Sequence, residues 1–183
     1  IQVRDAQTTE LLRVFFIREA SGLSFGANGR YLAIHSDTEL GDYYDMREDS
    51  GLYIWDLESD APPQKSELFD SIVPLHPTLP HAIVYNYETK RMDVVNIETG
   101  EIITTLEAGQ VVYSPLGNRI AIRNDSTLSI WSADDYTKIF DVNNFVANVV
   151  AFDFSASGRY LAGMDYNFFY VWDIMDDDMV SIA

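Results

Sequence analysis

Apolar residues in this chain fall in short runs separated by Gly, Asn, Asp, Ser and Pro, and no long stretch carries the three-to-four spacing of a helix face. Runs such as Arg119–Arg123 (RIAIR) and Leu128–Trp131 (LSIW) are four or five residues long and bounded by turn residues, which predicts β-strands. Several runs do not alternate: Leu52–Trp55 reads LYIW and Phe168–Trp172 reads FFYVW. A strand apolar on both faces has to be covered on both, so the pattern predicts small sheets stacked on one another. The fold class is all-β.

The runs recur in register. One anchor is an aromatic or apolar residue, a small or turn residue, a loop and then a basic residue. It occurs as Phe25-Gly26 before Arg30, Leu75-His76 before His81, Tyr113-Ser114 before Arg119 and Phe154-Ser155 before Arg159. Successive copies start 50, 38 and 41 residues apart. A second anchor closes an apolar strand: Arg4-Asp5, Trp55-Asp56, Val95-Asn96, Trp131-Ser132 and Trp172-Asp173, at spacings of 51, 40, 36 and 41. Two independent anchors keep step along the whole chain.

With F-S-x-x-G-R-Y-L-A at Phe154–Ala162, IWD at Ile54–Asp56 and VWD at Val171–Asp173, the repeat resembles the WD-repeat β-propeller family. The resemblance implies four-stranded antiparallel blades. Its departures are the lack of a Gly-His pair before any blade and the degenerate closings Val95-Asn96 and Trp131-Ser132. Read this way, residues 1–16 are a partial blade holding a third and fourth strand. Fuller blades follow at roughly 21–70, 71–106, 109–142 and 147–183, which makes about four and a half blades and eighteen strands. Such a count leaves an apolar blade face and a sheet edge open at each end. We therefore expect an incomplete ring, closed by further blades of a longer chain or of another chain; a small closed ring is the other arrangement.

Composition sharpens the choice of partners. The 183 residues carry 12 Lys and Arg against 29 Asp and Glu, a formal charge of −17. That field repels nucleic acid and anionic lipid surfaces and favours a basic partner. No apolar run approaches the roughly 18 residues of a membrane helix. The chain opens on Ile1 rather than Met, so the native start is expected to lie upstream and a missing targeting segment excludes nothing. Cys is absent, which removes thiol chemistry without fixing the compartment.

One unit breaks the rhythm. Phe25 to Trp55 spans 30 residues, whereas Tyr113 to Trp131 and Phe154 to Trp172 each span 18. The excess lies in Ser36–Ser50 (SDTELGDYYDMREDS), between the second and third strands of its unit. By resemblance this is a face on which such propellers bind partners. Asp37, Glu39, Asp42, Asp45, Glu48 and Asp49 surround Tyr43, Tyr44 and Met46, a set able to steer a basic peptide and offer it contact area. A solvated insertion would have the same composition.

Other patterns carry less. Gly22-Leu23-Ser24-Phe25-Gly26 spells G-x-S-x-G, but register puts Ser24 inside a first strand with no helix following, so it is no nucleophile elbow. His76 and His81 sit in a Pro-bracketed turn with no Cys or third His to complete a zinc set. Asp176-Asp177-Asp178 reads as a charged turn and lacks the calcium-loop spacing. Asn124-Asp125-Ser126 is a glycosylation sequon only in a eukaryotic secretory context. Arg30, Arg119 and Arg159, with His81, are aligned in one repeat position, either lining a rim for an anion or each paired with a carboxylate. No catalytic residue, metal ligand or cofactor is assigned. The function expected is a non-catalytic scaffold or sensor module binding a protein or peptide through its loops. The alternative is an enzyme or a small-ligand or metal-binding propeller with a central-channel site.

Overall fold

The computed structural model of the chain describes residues 1–16, 20–36, 51–66, 74–125, 127–142, 149–175 and 178–182. Among them are seventeen strands, one 3₁₀ turn at Ala27–Gly29 and no α-helix. The strands form five antiparallel sheets, none of them closed. Sheet I pairs β1 (Gln2–Arg4) with β2 (Leu11–Val14). Sheet II is β3 (Ala20–Gly26), β4 (Tyr31–Ser36), β5 (Gly51–Asp56) and β6 (Gln64–Lys65). Sheet III is β7 (His81–Asn86), β8 (Arg91–Asn96) and β9 (Ile102–Leu106). Sheet IV is β10 (Gln110–Tyr113), β11 (Arg119–Arg123), β12 (Leu128–Ser132) and β13 (Lys138–Asp141). Sheet V is β14 (Ala151–Phe154), β15 (Tyr160–Met164), β16 (Phe169–Asp173) and β17 (Asp178–Ile182). Each is an up-and-down meander in chain order.

Of the strand expected at the start of sheet III, residues up to 73 lie outside the described residues, and the described part makes one bridge, Leu75 to Ala82. Pro74 and Pro77, on either side of Leu75-His76, have no backbone N–H to donate to a ladder. Beside the bridge, the Ile83 N–H donates to the Pro74 carbonyl and the His76 N–H to the His81 carbonyl.

Directly opposed residues share a sheet face, so the pairing register sorts the core. Leu32 and Trp55 of sheet II pack with Ile1, Val3 and Phe15 of the opening segment, whereas Ala33 and Ile54 face sheet III. In sheet III, Ala82 and Val95 face backwards and Ile83 and Val94 forwards. In sheet IV, Ile120 and Trp131 face backwards and Ala121 and Ile130 forwards. Leu161 and Trp172 of sheet V face backwards onto them. The sheets therefore stack face on face in chain order, and the Trp that ends a third strand always lies in the seam with the preceding sheet. The two-sided apolar run Leu52–Trp55 is this sandwiching seen in sequence, whereas Phe168–Trp172 is covered on its backward face and open on the other. On sheet V the forward set, Tyr160, Ala162, Met164 and Phe169, is exposed. Leu11, Leu12 and Val14 of sheet I are exposed as well.

The turns between first and second strands gather at one end. The Ala27 N–H donates to the His76 carbonyl at 2.9 Å, and Gly117 lies against His76 and Thr78. The turns between second and third strands consequently lie at the opposite end, here called the upper rim. No helix among the described residues is long and apolar enough to cross a membrane.

Candidate functional site

The nine acidic-loop residues singled out by sequence, Asp37, Glu39, Asp42, Tyr43, Tyr44, Asp45, Met46, Glu48 and Asp49, lie outside the described residues, as do Asp176, Asp177 and Ser126. The loop's anchors are described: β4 ends at Ser36 and β5 begins at Gly51, so it springs from the upper rim.

The neighbouring upper-rim turns are built by short polar side chains. In sheet III the Asn86 Oδ1 accepts the N–H groups of Glu88 and Thr89 at 3.0 Å each, closing the turn. Its amide Nδ2 donates to Asp93 Oδ2 at 2.7 Å, and the Thr105 hydroxyl donates to Asp93 Oδ1 at 2.7 Å. Tyr85 and Tyr87 meet edge to face, 4.9 Å between ring centroids, with Tyr87 exposed. These residues border a cleft of about 350 Å³ that runs down past Asp93 to Ile102. In sheet IV, Asn124 Oδ1 accepts the N–H of Thr127 at 2.8 Å, so the sequon's Asn closes a turn. In sheet V, Asp165 accepts the N–H groups of Asn167 and Phe168 and the hydroxyl of Tyr170, each at 2.7 Å. Those bonds, the Asn167 N–H foremost, hold its carboxyl below the ordinary range, while Tyr170 is pushed up by the same contact. That turn thrusts Tyr166 and Phe168 outward, 88% and 50% exposed.

At the lower rim the structure corrects the alignment of basic residues. Register pairs His81 with Asn96 and Arg119 with Ser132, but Tyr31 with Asp56 and Tyr160 with Asp173. Arg119 and His81 thus share their position with Tyr31 and Tyr160, and Arg30 and Arg159 sit one residue earlier. The connections are of equal length, since Phe25 opposes Leu32, Leu75 opposes Ala82, Tyr113 opposes Ile120 and Phe154 opposes Leu161; the basic residue itself sits one place earlier in sheets II and V, and a one-residue slip moves a side chain to the other face. Consequences follow at each seam. Arg30 holds Asp56 at 2.8 Å and reaches Glu98 of sheet III at 2.9 Å; its bonds keep the Asp56 carboxyl low. Arg159 Nε donates to the buried Asp173 at 2.8 Å. Residues in the other register bridge forward to the next sheet. The Tyr31 hydroxyl donates to Glu98 (2.7 Å), His81 Nδ1 bonds the Tyr136 hydroxyl (2.7 Å), and Arg119 donates to the Ile174 carbonyl (3.2 Å). Arg30, His81 and Arg119 tie neighbouring sheets together and Arg159 pairs with a carboxylate of its own sheet, which argues against a rim laid out to capture an anion.

His76 adds further titratable chemistry at the lower rim. Its ring is buried against Tyr113, centroids 4.9 Å apart, and Nδ1 accepts the backbone N–H groups of Thr78 (3.1 Å) and Leu79 (3.0 Å). Gly117, at φ +72°, leaves room for it: a Cβ there would come within 2.7 Å of the His76 ring. Gly158 has a similar φ, +69°, and no contact nearer than 3.8 Å. Gly117→Ala should therefore cost about 1–2 kcal/mol for the left-handed backbone plus the displacement of His76, and Gly158→Ala the backbone part alone. Urea denaturation of the two variants measures the difference; equal losses would show that His76 does not press on Gly117.

Ser24, from the G-x-S-x-G match, lies in β3 and its hydroxyl accepts the Leu75 N–H at 3.3 Å across a seam, with no helix following. Neither Asp93 nor its cleft was foreseen. The signal was a single acid inside the apolar run Met92-Asp93-Val94-Val95. No protein-family model and no curated protein matches the chain.

Proposed function

We propose that the chain is a segment of a WD-repeat β-propeller and works as a non-catalytic binding module, offering its upper rim to a protein or peptide of basic character. The observation that carries this reading is the exposed aromatic residues on the upper-rim turns, Tyr87 in sheet III and Tyr166 and Phe168 in sheet V. Large exposed rings on four-residue turns closed by their own side chains supply contact area at little cost in entropy, which is what a docking surface needs. The acidic loop springs from the same rim, and the net charge of −17 would speed the approach of a basic ligand. The repeat anchors and the face-on-face stacking support the propeller part. By the same logic, the exposed forward face of sheet V is where a further blade would pack, since its residues repeat those that meet the next sheet at each inner seam.

Deleting residues 37–49 should leave the thermal midpoint almost unchanged, because loop length costs little, and should weaken capture of basic peptides at least tenfold on a peptide array. Undiminished capture would remove the loop from the reading. Undiminished capture by a Tyr87→Ala, Tyr166→Ala double variant as well would remove the rim.

A further inference from the structure

We propose that the cleft beside Asp93 receives one cationic side chain, a lysine ammonium or an arginine guanidinium, from the peptide bound at the upper rim. The inference deepens the function proposed above and rests on it for the source of the cation.

Asp93 is 5% exposed, yet both of its hydrogen bonds come from neutral groups, the Asn86 amide and the Thr105 hydroxyl. Among the described residues no Lys, Arg or His lies within ion-pair distance of it. A carboxylate has about four lone-pair sites, so two bonds leave it half satisfied. A buried charge in that condition is costly unless a counter-charge joins it. Packing does not call for an acid here: pairing register puts Tyr53, Ser129 and Tyr170 at the matching position of the three four-stranded sheets, none of them charged. The charge serves something else, and the cleft wall on which it lies shows what fits. Val95 and Ile102, on the face that Asp93 shares, offer apolar surface for a methylene stem, and Tyr87 lies in the turn that borders the cleft. Glu88, exposed in the turn that borders the cleft, adds a second negative group. Anions are repelled, and a hard metal ion would want six or more oxygen ligands, which these two acids do not supply.

Titrating the ¹⁵N-labelled chain with N-acetyl-lysine methylamide, its arginine counterpart and its norleucine counterpart tests this by amide shifts. Saturable shifts at Asn86, Tyr87, Glu88 and Thr105 are expected with the two cations and none with norleucine. Asp93→Asn should weaken the response at least tenfold. Ile102→Trp, at an exposed position where a larger side chain can be carried without unfolding, should do the same by filling the cleft, and it decides the matter if Asp93→Asn does not fold. Equal shifts with norleucine, no shifts with the cations, or full binding in Ile102→Trp would overturn the proposal. Basic peptide capture separates it from the rim reading. Capture lost on deleting 37–49 but unchanged in Ile102→Trp sinks the cleft and spares the rim. Lysine-probe binding without any peptide capture sinks the rim and spares the cleft.

Discussion

Trimming Trp172 to alanine is expected to cost about 3–5 kcal/mol, the range for deleting a fully buried aromatic side chain. Trp172 is 1% exposed and sits in the seam between sheets IV and V among Leu128, Ile130, Phe152, Leu161 and Tyr170. Its ring stacks on Tyr170, centroids 5.7 Å apart at 17°, and comes within reach of Gly163, where a Cβ would meet it at 2.9 Å. That crowding leaves little scope for neighbours to relax into the void, so the cost should fall at the upper end. Trp131 holds the same register position in sheet IV but is half-buried, with Lys138 Nζ 6.0 Å above its ring. Trp131→Ala should cost clearly less. Urea denaturation of both variants checks the order, and equal losses would show that the two seams are not packed as described. A loss of 3–5 kcal/mol is a large part of an ordinary domain's total stability, so Trp172→Phe, which keeps an aromatic ring in the seam, provides a variant that stays measurable.

The contrast shows which parts of the fold the sequence exposes. Strands such as Arg119–Arg123 and the Trp-Asp closings are legible because an apolar run needs only its own residues and flanking turn formers to declare itself. Sandwiching between sheets was legible for the same reason: LYIW has no polar face to turn to water. Around Leu75 the pattern conflicts with the chemistry, because Pro74 and Pro77 have no N–H for the ladder that an apolar run presupposes. Arg119 failed more subtly. Its spacing from Tyr113 is one residue longer than that of Arg30 from Phe25, and a single residue reverses a side chain in a strand, so equal residue types at near-equal spacing ended in different bonding roles.

The candidate site was less legible than the scaffold. Upper-rim turns were recognisable as turns, since Asn86 and Asp165 are residues that close turns with their own side chains. What Asn86 does with its other end, holding Asp93 across the hairpin, depends on a pairing register that local sequence does not state. Asp93 itself is one acid in an apolar run, and only its burial and neutral partners distinguish it from a solvated edge residue. His76 was read as a turn residue, which is correct as to place and silent as to chemistry, because the two N–H groups that it accepts come from the turn that it helps to form.

That chemistry gives the second large effect, a loss of stability as pH falls below about 6.5. Burial foremost, and then the neighbouring His81, hold the His76 pKa below its ordinary 6.5, against the opposing pull of the Gly117 carbonyl and Asp134; burial lowers His81 likewise. Tyr113 and Tyr136, the other titratable groups packed there from sheet IV, are both pushed upward and stay neutral throughout. Above the unfolded value both states are neutral at these histidines and neither contributes. As pH falls through 6.5 the unfolded chain takes up protons that the folded one refuses, so stability declines until the depressed folded value is reached. Geometry sets the size of the refusal. A proton on Nδ1 would point at the N–H groups of Thr78 and Leu79, turning two acceptor contacts into donor–donor clashes, at about 1–3 kcal/mol for each backbone group left unsatisfied. The depressed carboxylates Asp56, Asp135 and Asp165 act in the other window, losing their contribution only below their ordinary range near pH 3.8, so the histidine effect stands alone above it. His76→Asn separates the cause, because an Asn Oδ1 can accept the same two N–H groups and does not titrate. Urea midpoints from pH 4.5 to 8 should slope in the parent chain and flatten by more than half in His76→Asn, with His81→Gln removing most of the rest. A parent chain with level midpoints over that range, or a His76→Asn variant as steep as the parent, would show that His76 keeps its turn when protonated.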